Sequence, residues 1–532
     1  MHSAMTATQA NAYDEFPYVS KPFEGTHPNR LAAIARLHGM RPAPPDRCRV
    51  LELGCASGGN LLPMAAYLPG CEFVGVDLSA VQIDAARRAA EAAGLANVRF
   101  HAMSIADVAP DFGRFDYIIA HGVYSWVPEL VREKLLAVCA ANLAPDGVAY
   151  VSYNTYPGWH ARGMVRDMLR YRTNGFQTAR EKVAQARALM QFLRRASSAA
   201  QNAFGMALRE EIDALERSPD FYLAHDHLED VNAPVYFHEF VGAAQQHGLQ
   251  YLNDVDVRTG LLNDFAPDVR SQLVSLAANP IELEQYIDFV RERTFRRSLL
   301  VHRAVSLRRG EEARQLQDLF VAFLGAPVSA NPDLRSPGIS ETFRDAAGVS
   351  IAATNPLTKA TLHILASSAP QPLHFSQLRE AALERLAGDA RSRDRIWQEN
   401  AEGLCNDLLG CCTAGLAWFC VQAGPSAQLP LTYPRANAFT RYHAASATWI
   451  VNRLHQLVEL DEFTRHLIQL MDGTRDLSAL RAAMCKQVAD GALEYMHNGV
   501  AVTDPGLILE AVNQAMASAL PRIARAAVLQ TD

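Results

Sequence analysis

The stretch Val50-Leu51-Glu52-Leu53-Gly54-Cys55-Ala56-Ser57-Gly58-Gly59-Asn60-Leu61-Leu62 decides how the rest of the chain is read. An apolar strand ends at Glu52, the chain turns on Gly54, and Gly58 and Gly59 open a helix. Backbone N–H groups and a helix N-terminus then face a bound cofactor. Glycines spaced this way also occur in dinucleotide enzymes, so two acids carry the distinction. Glu52 stands two residues before the first glycine, where a negative charge opposes a pyrophosphate but favours a cationic amino-acid group. Asp77, in FVGVDLS, ends the next strand, where a carboxylate can accept both hydroxyls of a ribose. Taken alone, Asp77 reads equally as a turn or helix-start carboxylate. With Ala56 in the middle small position, the pair selects S-adenosylmethionine over a nicotinamide cofactor.

Outward from this loop the pattern alternates: RVLELG, helix, EFVGVD, helix, NVRFHAMS, turn, FDYIIAHGV, helix, GVAYVSYN. Apolar strands separated by helices specify a parallel sheet covered on both faces. LQYLNDVDV and TFRRSLLVH supply two more strands, which makes an α/β, Rossmann-like seven-stranded sheet with a helical insertion. THPNRLAAIARLHGM reads as an amphipathic helix with Pro28 in its first turn and Leu31, Ile34, Ala35 and Leu37 on one face. The expected boundaries are 1–45, an N-terminal segment and helix over the cofactor site; 46–160, the cofactor-binding core; 161–222, the helical insertion as lid or dimer surface; 223–308, completion of the sheet; 309–430, a winged-helix-like middle domain; and 431–532, a helical or winged-helix C-terminal domain.

A chain of 532 residues is too long for one core. Its formal charge of −7 gives no general attraction for nucleic acid or an anionic membrane. Nine cysteines, odd in number and scattered, suggest a reducing, cytoplasmic setting. Cys405, Cys411, Cys412 and Cys420 cluster without a histidine or a C-x2-C pair, so no zinc site is expected. The start, MHSAMTATQANAYDEF, does not read as a signal peptide. Leu408–Pro434 carries no charge, yet Gly410, Gly415, Gln422 and Pro425 interrupt it; a buried helix followed by a strand, LAWFCV, fits better than a membrane span.

ELGCASGGN, GVDLS, MSI, FDYIIAHGVYSWVP and YNTYPGWH together resemble the class I S-adenosylmethionine-dependent methyltransferases. More narrowly, with YDEFPY, THPNR, PVYFHEFVGAAQQHGLQYL and YIDFVRERTFRRSLL, the chain resembles a bacterial group carrying a methyltransferase regulatory domain. That group includes protein-lysine methyltransferases acting on an outer-membrane surface protein. The resemblance covers roughly the first 305 residues well and the rest loosely. It implies that Glu52, Gly54, Ala56, Gly58 and Asn60 surround the methionine part of S-adenosylmethionine, that Asp77 and Leu78 hold the ribose, and that Ser104 and Ile105 flank the adenine. S-adenosylhomocysteine would be the product.

Methyl transfer is an in-line displacement at a sulfonium, so alignment of the nucleophile is most of the work. A lysine nucleophile must also be neutral, and a dry aromatic slot lowers its pKa by desolvation. The end of the fourth strand offers His121, Tyr124 and Trp126, and the end of the fifth offers Tyr153, Asn154 and Tyr156. His121 reads as a general base or a satisfied turn histidine; Tyr124 and Trp126 read equally as slot wall or core. Trp159 and His160 read as the start of the insertion. In the cluster His225, Asp226, His227, Glu229 and Asp230 the acids read as helix-start caps rather than metal ligands, and Arg291, Arg293, Arg296 and Arg297 read as a solvated face. The expected activity is N-methylation of lysine side chains on a protein, by a chain with no nucleic-acid partner, no membrane span and a plausible homodimer surface. A small-molecule methyltransferase and a non-catalytic cofactor sensor are the alternatives.

Overall fold

The computed structural model describes residues 20–532 apart from 199–201, 257–261, 263, 264, 311–314, 370, 424–431, 498, 499, 502, 531 and 532. The YDEFPY motif, the segment read for a signal peptide and most of the QAGPSAQLPLTYP linker lie outside the described residues.

Strands β1 (Arg49–Leu53), β2 (Glu72–Asp77), β3 (Val98–Ala102), β4 (Phe115–Ala120), β5 (Leu143–Asn154), β6 (Leu249–Asp254) and β7 (Phe295–His302) form one sheet, in the order β3-β2-β1-β4-β5-β7-β6. The first five are parallel. β7 runs antiparallel to both β5 and β6. Nearly continuous apolar runs suit strands buried on both faces. Strand order reverses at β1 and β4, so a crevice opens at their carboxyl ends, where ligands of such sheets bind.

Helix α1 (Pro28–Leu37) begins with His27 accepting from the Asn29 N–H at 3.2 Å and a proline in its first turn. Its Leu31, Ile34 and Leu37 pack with Val50, Tyr117 and Tyr150 on one face of the sheet. Helices α2 (Leu61–Tyr67), α3 (Ala80–Ala92) and α4 (Glu129–Asn142) connect the strands. The insertion starts at Trp159, with α5 (Trp159–Thr173), α6 (Ala179–Ala196) and α7 (Ala203–Glu216) around their own core of Val165, Leu169, Ala186, Met190 and Ile212. Helix α8 (Phe237–Gln246) then packs Phe237, Phe240 and Val241 against the other face of the sheet. Helices α9 (Pro267–Leu276) and α10 (Pro280–Arg291) link β6 to β7.

The arginine run is not a solvated face. Arg296 is 1% exposed. Its guanidinium grips Asp288 through Nε at 2.7 Å and Nη2 at 2.8 Å, reaches Glu284 at 2.7 Å and lies 3.7 Å from the Phe237 ring centre. Arg293 shares Asp288 at 2.9 Å. Strand alternation turns Arg296 inward, and acids from α10 and β6 neutralise it.

In the middle region, Pro356–Ser368, Phe375–Leu386 and Ala390–Thr413 are helices, and Phe320–Phe323, Leu373–His374 and Ala417–Cys420 form a small antiparallel sheet. Cys405, Cys411, Cys412 and Cys420 are buried in it. The C-terminal domain has its own core, including Leu467, Met484, Val512 and Ile523. It contains a hairpin, Trp449–Val451 with Leu457–Glu459. Among the described residues, no helix is long and apolar enough to cross a membrane.

Candidate active site

The β1–α2 loop is stitched to its surroundings by backbone groups. Gly54 N–H and Cys55 N–H donate to Val76 O at 2.7 and 3.1 Å, and Gly59 N–H donates to Ser20 Oγ at 2.9 Å. Gly54 has φ +77°, and a Cβ there would stand 2.5 Å from Val123 Cγ2, so both conformation and space demand glycine. Ala56 holds a left-handed φ of +47°. That strained position is fixed by Asp77, whose Oδ2 accepts from Ala56 N–H at 2.8 Å while Oδ1 accepts from Ser79 N–H at 2.9 Å. Asp77 thus orders the loop with one lone pair of each oxygen. Burial raises its pKa above the usual carboxylate range.

Glu52 is 3% exposed at the end of β1. Its Oε1 accepts from Asn60 Nδ2 at 2.8 Å, and its Oε2 is buried with no hydrogen-bond partner among the described residues. Burial pushes its pKa up to about 8, against the lowering effect of Asn60, with the Asp77 charge adding to the rise. A buried carboxylate oxygen without a donor is costly. The ammonium of a methionine moiety would satisfy it and a pyrophosphate would not, so the residues present fit S-adenosylmethionine.

Leu78 is 61% exposed beyond β2. Ser104 Oγ accepts from Ala106 N–H at 3.1 Å and so caps the short turn Ile105–Asp107, which buries Ile105. Asn60 is committed to protein partners: its Oδ1 accepts from Phe23 N–H at 3.0 Å, Thr26 Oγ1 at 3.1 Å and His455 Nε2 at 2.7 Å. Phe23, Thr26 and His455 are residues that sequence reasoning missed. THPNR begins with Thr26 and lies three residues after Phe23, but nothing in it pointed to Asn60.

At the end of β4, His121 is half-buried, its ring stacked on Phe23 at 3.5 Å and its Nδ1 2.7 Å from the Tyr150 hydroxyl. Desolvation, helped by Arg297, pulls its pKa down to about 3, which makes it a poor acceptor for a lysine proton. It faces a cavity of about 450 Å³ between the sheet, α1 and the middle domain, lined also by Phe23, Glu24, Tyr150, Arg297 and Trp418. Tyr124 and Tyr153 lie in the core instead of walling a slot. Tyr153 is 1% exposed, stacked on Phe240 at 4.0 Å, with its hydroxyl 2.9 Å from Ser298 Oγ. Tyr124 meets the Phe240 ring edge-on at 5.2 Å. Period-two alternation along β5 aims Tyr153 into the face covered by α8, away from the carboxyl edge.

Trp126 is half-buried and meets Trp159 edge-on at 6.3 Å, and Trp159 stacks on His227 at 6.1 Å. Trp159 and His227 are buried, 3% and 1% exposed, so of these three rings it is Trp126 that stays half-buried beyond β4. Asn154 lies beside it, its N–H donating to Ser125 Oγ at 2.9 Å and its amide to Asn232 at 3.0 Å. Tyr156 is half-buried and stacked on His160 at 4.2 Å. His227 is 1% exposed, held near pKa 3 by burial, and neither ring nitrogen has a partner among the described residues. His225 instead approaches Glu229 at 3.6 Å. Among the described residues, no group of three or more His, Cys, Asp or Glu is placed to hold a metal.

A sheet of this order, with an antiparallel penultimate strand and a glycine loop flanked by two acids at its switch point, defines a class I S-adenosylmethionine-dependent methyltransferase. Three family models match the chain: "Methyltransferase domain" over 50–147, "Predicted methyltransferase regulatory domain" over 219–302 and "PKMT, C-terminal winged helix domain" over 432–528. The Rickettsia prowazekii protein RP789 is 34% identical over 500 residues, spanning 93% of this chain and 89% of that protein. PKMT2 from Rickettsia typhi has a TM-score of 0.85 at 29% identity, covering 96% of this chain and 100% of that one, and its complex with AdoHcy (S-adenosylhomocysteine) matches at 28% identity with the same TM-score. A Synechocystis protein, sll1526, is 28% identical over 313 residues, 56% of this chain and 59% of its own. The chain belongs to the family of regulatory-domain methyltransferases that includes RP789.

Proposed function

We propose that this methyltransferase N-methylates lysine side chains of a protein substrate. The observation that carries the reading is the near full-length likeness to PKMT2, letters we read as protein lysine methyltransferase. Trp126, half-buried beyond β4 against Trp159, supports it as an aromatic surface for such a substrate.

S-adenosylmethionine, when bound, supplies an electrophilic methyl group on a sulfonium. The chain's own residues do the rest. Glu52 Oε2 holds the cofactor's ammonium, Asp77 fixes the loop and keeps lone pairs for the ribose hydroxyls, and Gly54, Ala56 and Gly58 shape the loop so that its backbone lies against the ligand. Leu78, Ser104 and Ile105 border the nucleoside. Trp126, braced by the buried Trp159, desolvates an entering lysine, which favours its neutral, nucleophilic form, and its ring face tolerates the methylated cation that leaves. His121 stays neutral and positions Tyr150 and Phe23 rather than taking a proton. The lysine loses its proton to water before it enters.

The test is incubation with S-adenosylmethionine labelled in the methyl group and lysine-bearing proteins. Label in methyl-lysine supports the reading. Label confined to a small molecule would establish the biosynthetic alternative, and cofactor binding without turnover on any acceptor would establish the sensor. We also place the protein in the cytoplasm, given its nine unpaired cysteines. Exposed Tyr171, Phe192, Phe204 and Met206 on the insertion are our candidates for a homodimer surface; a monomeric mass by light scattering would remove it.

A further inference from the structure

The residue before helix α2 is Asn60, and its side chain is the junction of three parts of the chain. Phe23 N–H can only donate, so the atom it meets at 3.0 Å is the amide oxygen, Oδ1. The amide nitrogen therefore faces Glu52, as the 2.8 Å contact requires. His455 Nε2, 2.7 Å from the same Oδ1, must be the protonated nitrogen of its ring. Burial, together with His27 and Arg30 nearby, keeps that ring neutral.

His455 reaches this position at some conformational cost. It is 2% exposed at the tip of the C-terminal hairpin and holds φ at +62°, a left-handed conformation uncommon outside glycine, though histidine adopts it more readily than most residues. The turn is built to keep it there. Asn452 Oδ1 accepts from Leu454 N–H and Gln456 N–H, both at 2.9 Å, and Asn452 O accepts from His455 N–H at 3.0 Å. The next residue, Gln456, donates to Glu24 at 2.7 Å. The far end of α2 is held by the same domain, since Tyr67 OH donates to Val528 O at 3.1 Å. The C-terminal domain thus grips the helix whose N-terminus faces the cofactor at both ends, and at the near end it does so with a strained, buried histidine. Strain that persists at a ligand site points to a role there.

We propose that His455 is a positioning residue of the cofactor site. By donating to Asn60 it locks the amide with Nδ2 toward Glu52, which holds Oε1 and leaves Oε2 directed at the cofactor's ammonium. The winged-helix domain therefore completes the S-adenosylmethionine site across the whole length of the chain. The inference rests on reading Glu52 as the acid that meets that ammonium.

The test uses the full chain and reads S-adenosylhomocysteine affinity by calorimetry beside thermal melting. His455→Phe keeps a buried ring without the donor and should weaken binding about five- to tenfold, the effect of one lost hydrogen bond. His455→Gln restores a donor and should bind within about threefold of the parent. Tyr67→Phe, at the other end of α2, should lower the melting temperature and leave affinity within about twofold. Parental affinity in His455→Phe, equal weakening in His455→Phe and Tyr67→Phe, or no recovery in His455→Gln at matched melting temperature each overturns the proposal. A measurement on the unaltered protein covers a variant that does not fold. With 15N-histidine labelling, the His455 Nε2 resonance should be that of a protonated nitrogen and should shift when S-adenosylhomocysteine is added; an indifferent resonance overturns it. Glu52→Gln is the control: unchanged affinity there removes the reading of the cofactor site, whereas weakened affinity there with a parental His455→Phe removes only the role of His455.

Discussion

Replacing Glu52 with glutamine should make the ligand-free protein more stable at alkaline pH and a worse binder of its cofactor. Burial raises the Glu52 carboxyl from 4.5 to about 8, and every tenfold change in acidity corresponds to about 1.4 kcal/mol. Between those two values the unfolded chain is ionised at this position while the folded chain holds a proton. Folded protein therefore binds more protons, and its stability falls as pH rises from about 4.5 to about 8. The whole rise sets a ceiling on the order of 5 kcal/mol; local relaxation brings the expected gain from Glu52→Gln to about 2–4 kcal/mol above pH 8. At pH 5 the gain should be nearly absent. Calorimetric melting at the two pH values reads this as a difference of a few °C per kcal/mol, roughly, in the unit containing the sheet. Binding of the cofactor's ammonium needs the ionised carboxylate, so parental affinity should climb by up to about tenfold for each step of one in pH below pH 8 and level off above it. The glutamine variant should bind weakly with a flat profile. A variant that melts lower than the parent at alkaline pH, or binds S-adenosylhomocysteine equally well, would refute the assignment of an unmet charge at Oε2.

Asp77→Ala removes the acceptor for two loop N–H groups and the ribose ligand together, and cofactor binding by calorimetry should weaken by about 1–3 kcal/mol; unchanged affinity would take Asp77 out of the site. Trp126→Ala should abolish or sharply reduce turnover with cofactor affinity and melting temperature near parental values, because the ring is half-buried at a rim; collapse of the melting transition would make it a core residue like Tyr124. Asp288→Asn leaves Arg296 and Arg293 short of their shared charge in the interior, and chemical denaturation should register a loss of about 3–5 kcal/mol.

Strand and loop chemistry near the cofactor was legible because it is local. Apolar runs, the glycines of residues 54–59 and two acids at strand ends all declare themselves within a few residues of one another, and the sheet adopts the seven strands that this pattern implies. Side chains whose role depends on distant partners were not legible. Arg296 sits among charges in the sequence and reads as solvated, yet Asp288, Glu284 and Asp254 close over it in the interior. Tyr153 is the penultimate residue of a strand that ends at the site, but strand alternation sends its ring to the opposite layer, where Phe240 of a later helix receives it. Trp159 reads as the start of the insertion and His227 as part of a helix-start cluster because the contacts of Trp159 with Trp126 and with His227 link separate segments.

Asn60 shows how far this reaches. A polar residue at the mouth of a glycine loop invites assignment as a cofactor contact, and its position in the motif supports that. Its amide, however, is occupied by Glu52 on one side and by Phe23, Thr26 and His455 on the other. On the proposed reading of the site, Asn60 acts on the cofactor chiefly through the charge state and aim of Glu52. Asn60→Asp separates the two roles. An aspartate oxygen can still accept from Phe23, Thr26 and His455, so the junction survives, but the donor to Glu52 is lost and a like charge is placed beside it. The Glu52 pKa should then rise further above about 8. Cofactor affinity at pH 7 should fall by about tenfold or more, with partial recovery at higher pH. A contact residue would instead lose affinity by the same factor at every pH, and that flat loss in a calorimetric pH series would return Asn60 to the cofactor's own shell.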